Sequence, residues 1–127
     1  MKKQIVALPG ATSLPYSTAV RAGDFIFVSG QVGNKDERGN EIKDFEGQFS
    51  QCLENTRKIL MAAGSSLEDV VKVTCFLGDV GNFPTMNEIY KSYFPKEPPA
   101  RSTAITGLVN NSMLVEVESV AYHPEKK

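Results

Sequence analysis

Ala63-Gly64-Ser65-Ser66-Leu67-Glu68-Asp69-Val70-Val71-Lys72-Val73-Thr74-Cys75-Phe76-Leu77 joins two kinds of periodicity, and its reading decides the fold. The second half, Val70 to Leu77, is β-branched and apolar almost throughout and stops at Gly78-Asp79, which predicts an inner strand of a sheet. The first half closes an amphipathic helix. Upstream of it Phe45, Phe49, Leu53, Ile59, Leu60 and Ala63 recur at three-to-four spacing, and Gly64 follows as a C-cap. A helix that passes through a tight connection into a buried strand points to helices layered on a sheet.

Toward the N-terminus, Thr18-Ala19-Val20 and Phe25-Ile26-Phe27-Val28 are two extended runs around Ala22-Gly23-Asp24, a turn of hairpin type. Ser29-Gly30-Gln31-Val32-Gly33 ends the second run and leads into a polar loop, Asn34 to Asn40. Gly30 has two readings here: a backbone that a ligand approaches closely, or a simple bulge or turn. Toward the C-terminus a second helix starts near Asn82, with Pro84 in its first turn. It runs to Phe94, with Met86, Ile89, Tyr90, Tyr93 and Phe94 on its buried side, and Pro95 ends it. Two last strands, Ser102 to Thr106 and Met113 to Tyr122, flank an Asn110-Asn111 turn. The order ββαβαββ predicts a single α+β domain over residues 1–127, with two helices on one face of one sheet. The other face lacks a layer; it is either polar or buried against another subunit.

Composition narrows the function classes. At 127 residues, 41% hydrophobic and 23% charged, the chain has the core content of one globular domain. A net charge of -1 with lysines and arginines scattered singly gives no pull toward nucleic acid. Lys2-Lys3 and Lys126-Lys127 read as frayed ends. No stretch approaches the ~18 apolar residues of a membrane span, and the N-terminus has no apolar leader core, so the expected location is the cytoplasm. Cys52 and Cys75 sit inside apolar patterns and read as reduced, buried thiols. A single histidine, His123, leaves no two-histidine metal site and argues against a Ser-His-Asp triad. Chemistry here must use Arg, Glu, Asp, Tyr, Ser, Thr, Asn, backbone groups and water.

Among those, Arg101 stands out. Glu97-Pro98-Pro99-Ala100-Arg101-Ser102-Thr103 is a proline-stiffened approach that delivers one arginine to the start of a strand. A guanidinium fork in a cleft would match a small carboxylate; the same residue in the open is a solvated arginine at a strand start.

Several blocks in order carry a family resemblance: Leu14-Pro15-Tyr16-Ser17, Phe27-Val28-Ser29-Gly30-Gln31, Leu53-Glu54-Asn55, Ala63 to Lys72, Met86-Asn87-Glu88, Pro98-Pro99-Ala100-Arg101-Ser102 and Val115-Glu116-Val117-Glu118. Together they resemble the RidA (YjgF, reactive intermediate deaminase) family from about residue 10 to residue 122. The resemblance implies a chorismate-mutase-like fold and a homotrimer whose sheets form a central barrel, with ligand sites in the clefts between subunits. It also implies hydrolysis of 2-enamine or 2-imine acids, such as 2-aminoacrylate and 2-iminopropanoate, to the 2-keto acid and ammonia, without metal or organic cofactor.

Carried over residue by residue, Arg101 matches the arginine that pairs with the substrate carboxylate, and Glu116 the glutamate that orients the attacking water. Glu118 lies two residues on, pointing to the same side but further from the cleft. Tyr16 matches the tyrosine at the cleft mouth, Ser29 and Gly30 the strand end facing the ligand, and Asn87 a helix residue of the site. The blander readings are a polar residue on a wet strand face for Glu116, a packed aromatic for Tyr16 and a surface amide for Asn87. Three departures stand out: Leu14 where glycine is usual, Thr103 where many members have cysteine, and Val109-Asn110-Asn111 in place of a proline-containing turn. The Thr103 backbone amide remains a donor for ligand, while Leu14 and Asn110 flank the cleft and bear on the side chain accepted.

The expected function is therefore 2-iminobutanoate/2-iminopropanoate deaminase. The alternative is a module that captures 2-keto acids or similar small carboxylates without turnover. Endoribonuclease activity is a weaker third, opposed by the acidic pI near 5.8.

Overall fold

The computed structural model describes residues 2–8 and 14–125. Lys126-Lys127, read above as a frayed end, lie outside that range, as do the first residues of the family resemblance. Six strands and two helices follow in the order β1 (Gln4–Val6), β2 (Ala19–Ala22), β3 (Phe25–Val32), α1 (Phe45–Ala62), β4 (Val70–Leu77), α2 (Phe83–Tyr93), β5 (Ala100–Ile105) and β6 (Val115–Tyr122). The predicted ββαβαββ core is present, and one strand is added. β1 is three residues long with an exposed burial pattern, too short to show a periodicity, and pairs antiparallel with β2 through Ile5 and Val20. The sheet order is β1-β2-β3-β6-β4-β5, all antiparallel except β4 with β5.

Local chemistry sets the boundaries. Asp44 caps α1 by accepting from the Gly47 amide at 2.9 Å, and Gly64 leaves the helix at φ 82, where a side chain would strain. Pro84 sits in the first turn of α2, as read. Both helices cover one face. Phe49, Cys52, Leu53, Ile59 and Leu60 of α1, with Met86 and Tyr90 of α2, meet Ile26, Val28, Val73, Cys75, Leu77, Val115 and Val117 of the sheet. Cys52 and Cys75 are free and buried.

Gln48 is the bulkiest uncharged polar side chain buried in this layer, against the apolar pattern. Gln48 is 1% exposed and fully paired, donating to the Ile42 and Ser112 carbonyls at 2.8 Å and accepting from the Leu114 amide at 2.9 Å. It thereby staples the lead-in of α1 to the lead-in of β6. The uncovered face carries Phe25, Phe27 and Tyr122, each more than 40% exposed, with the Phe25 and Tyr122 rings 5.3 Å apart. The same face turns polar across β4 and β5, where Glu118 pairs with Thr74 and Lys72 donates to Ser102 at 2.8 Å, so the exposed aromatics form a patch at its β3–β6 end.

Gly33 sets the spacing between β3 and α1. A Cβ there would lie 2.8 Å from the Gln48 carbonyl carbon and closer still to its oxygen, both of them backbone. Gly33→Ala is expected to cost about 1–3 kcal/mol or more, because the helix must move bodily. Thermal melts followed by circular dichroism check this against Gly107→Ala, where a Cβ meets nothing within 4 Å. Equal melting temperatures for the two variants would show that Gly33 is not a spacer.

Candidate active site

The residues singled out from the sequence fall into two groups on different parts of the sheet. The first is built around Arg101, the second residue of the edge strand β5. Register places Arg101 beside Val73, which pairs in turn with Ser119, so its side chain lies on the helix-covered face. Its Nη2 donates to Asn87 Oδ1 at 2.7 Å, and the guanidinium carbon sits 4.7 Å from the Tyr90 ring centroid and 5.6 Å from that of Phe83. Arg101 is half-buried, and among the described residues no carboxylate lies within ion-pair distance of it. A guanidinium framed by rings, oriented by an amide and lacking a counter-ion has the donor fork that a carboxylate matches. Asn87 is thus no free surface amide.

Phe83 and Tyr90 were not picked from the sequence as site residues. Their signal is the spacing Phe83, Asn87, Tyr90, three positions that share one stripe of α2. Tyr90 looked like plain core, and it is 7% exposed, but its hydroxyl has no partner among the described residues. Thr103 Oγ1 is orphaned in the same way. Burial pushes the Tyr90 phenol up to about 12 and the Cys75 thiol up to about 11, in each case against the pull of the Arg101 charge. Both stay protonated and uncharged at neutral pH.

The second group lies at the end of β3. Here β2 begins at Ala19 opposite Val28, so beyond Ser29 that edge of β3 has no strand beside it among the described residues. Ser29 ties in the preceding segment: its amide donates to the Thr18 carbonyl at 3.0 Å and its hydroxyl to the Ser17 carbonyl at 2.6 Å. With its proton committed, the Ser29 hydroxyl can only accept from a ligand. The β3–β6 register shifts between Val28 and Gln31, so Gly30 lies in a bulge. It is also the seat of Glu116: a Cβ on Gly30 would fall 2.9 Å from the Glu116 carboxyl carbon and closer to Oε2. The bulge reading of Gly30 holds, and what approaches its backbone here is the Glu116 carboxylate, which a Cβ would displace. Tyr16, 56% exposed, and Gly30 line a depression of about 520 Å³.

Within one chain Arg101 and Glu116 do not meet. Glu116 pairs with Phe76 and Phe76 with Ala104, so Glu116 faces away from the helices, two strands and three rows from Arg101. At about 4.8 Å per strand and 3.3 Å per residue, that is roughly 14 Å through the sheet.

Comparisons with known proteins place the chain in a family. The family model described as Endoribonuclease L-PSP matches residues 7–123. A RutC family protein from Pyrococcus horikoshii is 43% identical over 109 residues, 85% of this chain and 86% of the relative. The human protein named 2-iminobutanoate/2-iminopropanoate deaminase is 39% identical over 114 residues, 89% of this chain and 82% of the relative. The crystal structure of RidA from an Antarctic Psychrobacter superposes with a TM-score of 0.81 at 35% identity, covering 88% of this chain and 91% of that one. With the framed arginine, the glycine-seated glutamate and these matches in hand, the chain belongs to the Endoribonuclease L-PSP family, that is, the RidA/YjgF family.

Proposed function

We propose that this protein hydrolyses 2-enamine and 2-imine acids, such as 2-aminoacrylate and its tautomer 2-iminopropanoate, to the 2-keto acid and ammonia. The observation that carries the reading is Arg101: a guanidinium oriented by Asn87, stacked on Tyr90 and free of any carboxylate among the described residues. The substrate carboxylate takes two donors of that fork. Water adds to C2 of the imine while Glu116 takes one of its protons and passes it to nitrogen, giving a carbinolamine; the hydroxyl proton then follows to nitrogen as the C–N bond breaks, leaving the keto acid and ammonia. Ammonia and pyruvate release from freshly generated 2-aminoacrylate, read against a buffer blank, tests the reaction directly. Release no faster than the blank would overturn it. Endoribonuclease, the description attached to the family model, is the weaker reading at a net charge of -1. Two free buried thiols fit a reducing compartment such as the cytoplasm.

The separation of Arg101 and Glu116 supports a homotrimer with three sites between neighbours. One chain presents Arg101 on its β5 edge, and the next presents Glu116 beside the unpaired end of β3, while the apolar faces holding Phe25, Phe27 and Tyr122 turn inward to a barrel. Thr103 and Asn87 then line the site from the arginine side, and Tyr16, Ser29 and Gly30 from the glutamate side. Co-refolding Arg101→Ala chains with Glu116→Gln chains is expected to recover about a quarter of wild-type activity, because sites drawing each residue from a different chain include some with neither mutation. No recovery would place both residues of a site in one chain.

A further inference from the structure

The depression beside Gly30 is larger and more apolar than a one-carbon substituent needs. It holds about 520 Å³ and is walled by Leu8, Leu14, Val32 and Ile59. Ile59 is 1% exposed and Leu8 packs against the same core, so the floor is rigid; Leu14, at 46% exposed, forms an outer wall. Its polar neighbours on α1 are already engaged. Asn55 accepts from Gln51 at 2.7 Å and donates to the Val32 carbonyl at 3.1 Å, while Lys58 is paired with Glu37 at 2.7 Å. Between these and the rim groups of Tyr16, Thr18 and Lys35, the wall of the depression is hydrocarbon.

The chemistry of the site fixes what enters. C2 of an imino acid is planar, with a carboxylate, a nitrogen and a side chain as its three substituents. Arg101 takes the carboxylate, and Glu116, lying over Gly30, serves the carbon and nitrogen that react. The side chain is left to run on past Gly30, around the unpaired end of the β3 edge from the Glu116 face toward α1, Gly30 being common to the Glu116 seat and the depression. We propose that this depression is the side-chain pocket and that it selects 2-imino acids with branched aliphatic side chains over 2-iminopropanoate, an inference that rests on the imine-acid reading above. Leu14 and Val32 are its specificity-determining residues.

Each methylene taken from water is worth about fourfold in binding, so the three further carbons of the leucine-derived imine should raise kcat/KM roughly 10- to 60-fold over the alanine-derived one. Imines generated in situ from alanine, leucine and glutamate by an amino-acid oxidase, with semicarbazide trapping as the readout, measure that ratio. Titration calorimetry with pyruvate and 4-methyl-2-oxopentanoate measures the same preference without turnover. The leucine-derived pair is expected to win in both, and Leu14→Ala or Val32→Ala to shrink the ratio several-fold. Equal kcat/KM for the alanine and leucine imines, or a preference for the glutamate imine through the exposed Lys35 at the rim, would overturn the proposal while leaving imine hydrolysis intact. If no imine turns over but 4-methyl-2-oxopentanoate binds more tightly than pyruvate in a Leu14-dependent way, the pocket stands and the deaminase reading falls.

Discussion

Arg101→Ala is expected to lower kcat/KM for 2-iminopropanoate by about 30- to 1000-fold, the equivalent of roughly 2–4 kcal/mol for a charge-assisted pair lost from a cleft. Arg101→Lys should recover little of it. A lysine keeps the charge but has neither the planar fork for two carboxylate oxygens nor the flat face that lies 4.7 Å from the Tyr90 centroid, and it aims a single point charge past Asn87. Steady-state kinetics, with the fold checked by thermal melting, decide the matter. Deamination by either variant at the wild-type rate would put the carboxylate receptor elsewhere.

Glu116→Gln is expected to leave 2-ketobutyrate binding within a few-fold of wild type and to reduce hydrolysis by about 10²- to 10⁴-fold, since an amide cannot take a proton from water. Glutamine has nearly the same shape, so the seat over Gly30 is kept. Parallel calorimetry and imine assays therefore separate a catalyst from a module that only captures keto acids. Turnover that survives the substitution would make Glu116 a structural residue and favour the capture module.

The two variants probe residues that read very differently in the chain. Arg101 announces itself through Pro98-Pro99, and Glu116 through its place in an alternating strand and through family resemblance. Nothing local to either shows how it is held. Asn87, Phe83 and Tyr90 gather around Arg101 because α2 lies across the β4–β5 end of the sheet, and Glu116 has room because a bulge in β3 turns Gly30 beneath it. Gln48 is the plainest omission. Its polarity hides it from any apolar count, yet it pins the turn before β6 and so fixes where Glu116 begins.

The elements themselves were legible because their causes are local. Three-to-four spacing over Phe45 to Ala63, a β-branched run at Val70 to Leu77 and proline or glycine at the ends act within a few residues, and helix α1 and strand β4 stand where those signals put them. β1 escaped because three residues are too few to show a period and their place is set by pairing with β2 and by Val6 against the core. Which face each side chain takes is a different kind of information. The parallel pairing of β4 with β5 and the antiparallel pairing of β4 with β6 join segments far apart in the chain, such as Val73 with Arg101 and Val70 with Ala121, and a shift of one residue in either would exchange the faces. By itself the sequence determined that an arginine and a glutamate of the right kind exist. Only the tertiary structure decided that they look out from opposite faces of one sheet, because register is set by long-range packing of both layers at once.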